Sequence, residues 1–132
     1  MKQLCAVLGL VLMLMATSCK EDVSKGEVRV VTPEEMQMLL EQKDVQLVDV
    51  RTPEEYKEGY IANSQNIDFN SPTFDEDISK LDKSKPVILY CKAGGRSAKC
   101  SQKLLDAGFI KIYDLEGGIT QWEFQGFDLE TN

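Results

Sequence analysis

Residues 86–97 have the sequence PVILYCKAGGRS, and this stretch decides the fold. Residues 86–90 are apolar, partly β-branched and bounded by proline, which predicts a buried strand. A turn with two glycines follows Cys91, and a helix is predicted over 97–107, where Gly108 ends it. A buried strand that passes through a short turn into a helix is typical of an α/β domain with a largely parallel sheet. Ligand sites in such sheets lie at the carboxyl ends of the strands, so we expect chemistry at Cys91.

The alternation of strands and helices continues on both sides of this stretch. Thr32 and Thr52 are each followed by Pro-Glu-Glu, which is the signature of a capping box at a helix start. A loop is predicted over 70–77, with a brief helix marked by Ile78 and Leu81 after it. The other predicted strands and the last helix are these: 28–31, 46–50, a short strand within 61–67, 110–115, and a helix after Gly117-Gly118.

Composition excludes several classes of function. The chain has 132 residues, which is one domain at most. It has 15 Lys and Arg against 22 Asp and Glu, a formal net charge of −7, so we expect no nucleic-acid partner. It has no histidine, which excludes Ser-His-Asp and Cys-His catalysis and every common zinc site except an all-cysteine one. We therefore expect neither a metal nor a cofactor.

The first residues are typical of an export signal. A basic start at Lys2 precedes an apolar run over 4–15, which is too short to span a membrane. Small residues then end in Cys19, a pattern that resembles the cleavage site of bacterial lipoproteins. The sequence predicts a lipoprotein signal peptide over 1–18, a lipidated Cys19 with a polar tether over 19–27, and a folded domain over 28–132. An ordinary signal peptide with an incidental cysteine is the alternative.

A lipid on Cys19 determines the expected location of the protein. The chain would be held at the bacterial cell envelope, on the periplasmic or surface face of the outer membrane. Lys20-Glu21-Asp22 resembles a surface-export signal of lipoproteins, although a plain solvated tether explains it equally well. The membrane would then be a partner through the anchor alone.

The loop Lys92-Ala93-Gly94-Gly95-Arg96-Ser97 favours a thiolate at Cys91. Glycines let successive backbone N–H groups turn inward as an anion nest, and the following helix adds the positive end of its dipole. A free thiol has a pKa of about 8.5, and lowering it to about 6.5 needs roughly 2.7 kcal/mol, more than a helix dipole alone supplies. We expect loop amides, together with Lys92 and Arg96, to supply the remainder. Since no histidine is present as a base, a pre-ionised nucleophile is the consistent reading.

Three ordered motifs resemble those of the rhodanese sulfurtransferase family. The first comprises Leu47-Val48-Asp49-Val50-Arg51, Glu54-Glu55-Tyr56, Gly59-Tyr60-Ile61 and Asn66-Ile67; the second is 91–97; the third is Gly117-Gly118-Ile119 followed by Trp122. The resemblance covers about residues 28–128. Two departures are Tyr60, where the family usually has His, and Asn63-Ser64, where Gly-Ala is usual.

The resemblance implies an α/β, rhodanese-like fold: about five strands in a mainly parallel sheet, with helices on both faces. It also implies a sulfurtransferase in which Cys91 takes the outer sulfur of a small anionic donor such as thiosulfate. The resulting persulfide passes that sulfur to cyanide or a thiol. The loop Lys92–Ser97 would bind the persulfide, with Lys92 holding the anionic donor and Arg96 stabilising the loop or the anion.

Several alternatives remain open at this stage. The protein is either an enzyme with independent turnover or a persulfide carrier that passes sulfur to a partner. A phosphatase or arsenate-reductase-like enzyme is less favoured, because those loops hold one residue more between Cys and Arg. Asp49 and Arg51 are expected to support the loop. Cys100 is either a core residue or a redox thiol that would imply a thiol-redox protein partner.

Overall fold

A computed structural model describes residues 25–132. Five strands and five helices alternate along this part of the chain: β1 (Glu27–Val31), α1 (Pro33–Leu40), β2 (Gln46–Asp49), α2 (Pro53–Glu58), β3 (Gln65–Asn66), α3 (Phe74–Ser79), β4 (Val87–Tyr90), α4 (Gly95–Asp106), β5 (Lys111–Leu115) and α5 (Gly118–Phe124). The strands form one sheet in the order β1-β5-β4-β2-β3, and every neighbouring pair is parallel. The predicted α/β fold with a five-stranded parallel sheet is confirmed.

The sheet separates two hydrophobic layers because neighbouring residues of a strand point to opposite faces. Val48 and Leu89 face one layer, where α3 and α4 pack. Leu47 and Ile88 face the other, where α1 and α5 contribute Met36 and Trp122. Since both faces are covered, all four residues of β4 are buried, as expected for a central parallel strand.

Two helices begin with the capping boxes that the sequence predicts. The Thr32 hydroxyl accepts a hydrogen bond from the backbone N–H of Glu35, and the Glu35 carboxylate accepts one from the N–H of Thr32. Thr52 and Glu55 repeat this arrangement at the start of α2. Each cap satisfies backbone donors that have no partner inside the helix, which explains why these short helices begin where they do.

One loop prediction is wrong in part. The segment expected to be a loop over 70–77 already contains the start of α3 at Phe74. Phe74 and Ile78 are both buried, and acidic residues in the first turn of the helix complement its dipole. The helix therefore begins earlier than its apolar spacing alone indicates.

The expected signal peptide over 1–18 and the lipidated Cys19 lie outside the described residues. The tether over 19–27 lies mostly outside them as well, and its last residue, Glu27, is the first residue of β1. Over the range 25–132, the helices are all too short or too polar to cross a membrane.

Candidate active site

Cys91 lies at the carboxyl end of the central strand of the sheet. It directly follows β4, and the loop of residues 91–96, called the Cys91 loop below, leads into α4. Gly94 has a φ of 112°, a left-handed conformation that is strained for residues with a Cβ. This turn directs the loop back over the sulfur, so the glycine is required by the shape of the loop.

Gly94 and Ser97 form hydrogen bonds with the sulfur of Cys91. The backbone N–H of Gly94 donates to Cys91 Sγ at 3.0 Å, the Cys91 thiol donates to Ser97 Oγ at 3.5 Å, and the Ser97 hydroxyl donates to the carbonyl oxygen of Gly94 at 3.2 Å. Burial opposes ionisation of the thiol, but hydrogen bonds from the Ser97 hydroxyl and from the N–H groups of Ser97, Gly94 and Ala93 outweigh it and lower the pKa of Cys91. The arrangement thus favours a thiolate without a neighbouring base.

Arg96 is held by Glu55, which the sequence analysis gave only as part of a helix cap and of a family motif. Its guanidinium donates two hydrogen bonds to the Glu55 carboxylate, at 2.6 and 2.9 Å. These bonds lower the pKa of Glu55 to about 2, so the pair stays charged across the physiological range. Arg96 therefore anchors the Cys91 loop to α2, whereas Lys92 is exposed at its rim. Forty-one residues separate the two partners of the pair, and no local pattern in the sequence indicates it.

The start of α5 is hydrogen-bonded to the backbone of the Cys91 loop. The backbone N–H of Ile119 donates to the carbonyl oxygen of Cys91 at 2.9 Å, and that of Thr120 donates to Lys92 O at 3.1 Å. A Cβ at Gly118 would lie 2.5 Å from both of these carbonyl oxygens, a distance at which backbone atoms must shift. Gly118 is thus a site residue that sequence reasoning quoted only as part of a motif.

Asp49 and Arg51 form a buried ion pair beside the Cys91 loop. The Arg51 guanidinium donates to Asp49 Oδ2 at 2.6 Å and to the carbonyl oxygen of Gly59 at 2.7 Å. Asn66 donates through its amide to the backbone oxygens of both residues. The pair connects the end of β2 to the end of α2, the helix that carries Glu55. Its role as a support of the loop remains a prediction.

Cys100 and Asp114 are buried behind the Cys91 loop. Both Cys91 and Cys100 are free thiols. Burial, followed by the nearby Asp114, raises the pKa of Cys100 to about 12, which disfavours the thiolate and favours the core interpretation. Asp114 is 6% exposed, and its Oδ1 has no hydrogen-bond partner among the described residues, so burial raises the pKa of its carboxyl. In residues 25–132, His, Cys, Asp and Glu side chains form no group of three suited to a metal ion.

The family model for the rhodanese-like domain matches residues 32–125. The chain belongs to the rhodanese-like domain family. Its relatives include the thiosulfate sulfurtransferase GlpE of Coxiella burnetii, which is 35% identical over 85 residues, covering 64% of this chain and 78% of that protein. Another is the tRNA uridine(34) hydroxylase of Aster yellows witches'-broom phytoplasma, 33% identical over 107 residues, covering 78% of this chain and 35% of that protein.

Solved structures agree with this assignment. The crystal structure of a rhodanese-related protein from Thermoplasma volcanium is 31% identical to this rhodanese-like domain. The two superpose with a TM-score of 0.71, and the match covers 79% of this chain and 99% of that one. The fold and the family predicted from the three motifs are therefore confirmed.

The two departures from the family motif have structural explanations in this rhodanese-like domain. Asn63 has a φ of 66°, and asparagine is among the few residues that tolerate the left-handed conformation in place of glycine. The Ser64 hydroxyl accepts a hydrogen bond from the buried Tyr90 hydroxyl at 3.0 Å. The ring of Tyr60 stacks on that of Tyr56, with 4.4 Å between centroids.

Proposed function

We propose that this rhodanese-like domain is a sulfurtransferase that carries sulfur as a persulfide on Cys91. The observation that carries the proposal is the set of hydrogen-bond donors around Cys91 Sγ, with the Gly94 N–H at 3.0 Å. A lowered pKa increases the fraction of thiolate, the nucleophilic form of the sulfur, in a chain without histidine. The sulfurtransferase name of the relative from Coxiella burnetii supports the same activity.

The first half-reaction loads the enzyme. The Cys91 thiolate attacks the outer sulfur of thiosulfate and forms a new S–S bond. The bond between the two sulfurs of thiosulfate breaks, and its electron pair leaves with sulfite. Lys92, exposed at the rim of the Cys91 loop, attracts the dianionic donor, since a cation there favours anions by Coulomb attraction.

The second half-reaction unloads the enzyme. Cyanide or an acceptor thiolate attacks the terminal sulfur of the persulfide and forms a bond to it. The bond between that sulfur and Cys91 Sγ breaks, and its electron pair returns to Sγ, which restores the thiolate. No oxidant or reductant is consumed in the exchange with cyanide. The inward N–H groups of the Cys91 loop stabilise the negative terminal sulfur as they stabilise the thiolate.

Intact-mass measurement of the reduced protein tests the proposal. Thiosulfate should add the mass of one sulfur atom, and cyanide should remove it with repeated formation of thiocyanate. Cys91→Ser should abolish both the mass gain and the turnover. The matched control is Cys100→Ser, which replaces the other buried thiol and should retain loading.

The possible outcomes separate the remaining candidates. Loading without turnover on cyanide would favour a persulfide carrier that serves a partner protein. Failure of the reduced protein to take up sulfur would contradict both sulfur functions. Loading that persists in Cys91→Ser would place the nucleophile elsewhere.

We also propose that Cys19 carries a lipid and holds residues 28–132 at the bacterial envelope. The support is the sequence alone: an apolar run over 4–15 that stops at small residues and a cysteine. In this proposal, the residues between Cys19 and β1 connect the lipid to the folded domain.

A further inference from the structure

The end of the chain runs as a strap across the side of the domain. This C-terminal strap comprises residues 127–132 and lies beyond the segment that matches the family model. At its centre, the Glu130 N–H donates to the carbonyl oxygen of Tyr60 at 2.7 Å, and the Tyr60 N–H donates to Glu130 O at 2.9 Å. Tyr60 is the position at which the family motif usually has His.

Additional contacts fix the strap at both ends. The ring of Phe127 packs on Trp122 with 4.6 Å between centroids, and the Trp122 indole N–H donates to the carbonyl oxygen of Asp128 at 3.0 Å. At the other end, the Tyr60 hydroxyl donates to the side-chain oxygen of Asn132 at 3.1 Å. The strap therefore packs against the domain, and its position is determined by contacts with Trp122 and Tyr60.

The strap forms a wall of a cavity beside the Cys91 loop. The cavity has a volume of about 260 Å³, and its lining includes Lys92, Glu55 and, from the strap, Leu129. Lys92 belongs to the Cys91 loop, and Glu55 holds Arg96 of the same loop, so the cavity adjoins the loop at both residues. Pockets for drug-sized ligands measure about 300–1,000 Å³, and this cavity suits a smaller molecule.

Alternation along the extended strap assigns Leu129 to this cavity. Asp128 and Glu130 line a different cavity, on the side of Ile61 and Trp122, whereas Leu129 lines the one beside Lys92. The Leu129 side chain lies over Gly59, where an added Cβ would be 3.5 Å from Leu129 Cδ1. Leu129 is thus the side chain that the strap contributes to this cavity, and Ile119 is the other large apolar residue of its lining.

We propose that Leu129 is a specificity-determining residue that restricts sulfur transfer to small acceptors, such as cyanide and compact thiols. The proposal rests on the proposed sulfurtransferase function. In this proposal, an acceptor that approaches the outer sulfur on Cys91 occupies the cavity at Lys92, the residue of the Cys91 loop that lines it, and Leu129 limits the space available there. Larger thiols collide with the strap, which itself cannot move without losing the backbone pair with Tyr60.

The test compares two acceptors in variants that change only the size of the side chain. Leu129→Ala should raise the kcat/KM for glutathione relative to that for cyanide by about tenfold, the effect of a small change in an apolar pocket. Leu129→Trp should lower the same ratio. Asp128→Ala is the matched control, because its side chain lies on the other side of the strap and its backbone bond to Trp122 is retained. An unchanged ratio in both Leu129 variants would overturn the proposal.

A second measurement is independent of sulfur transfer. Cys91 is alkylated with iodoacetamide and with the bulkier iodoacetanilide in the full-length reduced protein. Leu129→Ala should raise the rate with iodoacetanilide more than the rate with iodoacetamide, and Leu129→Trp should do the reverse. If the wild type neither loads nor transfers sulfur, the proposed function fails. The ratio of the two alkylation rates still tests whether Leu129 restricts access to Cys91. Equal changes with both reagents would show that Leu129 does not restrict access.

Discussion

Ser97 is the side chain that tunes the nucleophile. Its hydroxyl lies 3.5 Å from Cys91 Sγ, and its backbone N–H also stabilises the ionised sulfur. The Ser97 side chain is fully buried, and its hydroxyl also donates to the carbonyl oxygen of Gly94 at 3.2 Å. A hydrogen bond to a charged group typically contributes about 1.5–3 kcal/mol, and the long distance here places it at the low end.

We expect Ser97→Ala to raise the pKa of Cys91 by roughly 1 pH unit, because 1.36 kcal/mol corresponds to one unit. The measurement is the rate of alkylation by iodoacetamide as a function of pH, whose midpoint should move to higher pH. At neutral pH the variant should therefore react more slowly, and at alkaline pH the two rates should converge.

Ser101→Ala is the control for this prediction. Ser101 is buried in the same helix, but its hydroxyl donates to the Ser97 carbonyl oxygen at 2.8 Å and does not contact the sulfur. An equal shift in both serine variants, or the wild-type midpoint in Ser97→Ala, would contradict the assigned role of the hydroxyl.

At the scale of elements, α2 connects a helix cap to the Cys91 loop. Glu55 Oε1 accepts hydrogen bonds from the Thr52 backbone N–H and hydroxyl, and the same carboxylate holds Arg96. Glu55 therefore completes the capping box and anchors the loop at the same time. The stability contributed by the ionised carboxylate is present above pH 4.5 and is lost as the pH falls toward 2.

The two capping boxes provide a matched pair of substitutions. Thr52→Ala and Thr32→Ala should each lower the free energy of unfolding by about 1 kcal/mol, measured by urea denaturation. Only Thr52→Ala should also slow the alkylation of Cys91, since it loosens the residue that holds Arg96. If both variants retain the wild-type alkylation rate, the anchor does not depend on the cap.

Local signals were sufficient to predict most of the elements. Thr32 and Thr52 mark helix starts because the capping box satisfies donors within four residues of the chain. The apolar residues before Cys91 mark the central strand because their pattern can also be seen within a few consecutive residues. The Cys91 loop was also predictable, since Cys91, the two glycines and Ser97 all lie within seven residues of the sequence.

Contacts between distant residues could not be predicted in this way. The Glu55–Arg96 pair joins α2 to the start of α4, and Tyr60 pairs with Glu130 near the end of the chain. Lys92 and Arg96 were expected to act together on the thiolate, but the fold directs Arg96 to Glu55 and leaves Lys92 exposed. Such pairings depend on how the sheet brings its helices together.

At the scale of the whole molecule, the proposed membrane location depends on Cys19, which precedes the folded domain. A single lipid chain gives only marginal membrane binding, and stable anchoring takes a second chain or another membrane-binding signal. We expect Cys19→Ala to lose metabolic labelling with a palmitate analogue and to release the protein from the membrane fraction.

Cys5→Ala is the matched control within the predicted signal peptide, because it removes a cysteine from the apolar run and leaves Cys19 in place. This variant should stay labelled and membrane-bound. Lipid incorporation into Cys19→Ala would show that another group carries the anchor.

The donors to Cys91 determine which positions of the loop tolerate substitution. The N–H groups of Ala93 and Gly94 belong to the peptide backbone, and every amino acid except proline supplies the same group. The side chain at the exposed position 93 can therefore be exchanged without removing a hydrogen-bond donor to the sulfur. Engineering of the surface that an incoming substrate meets can begin at this position.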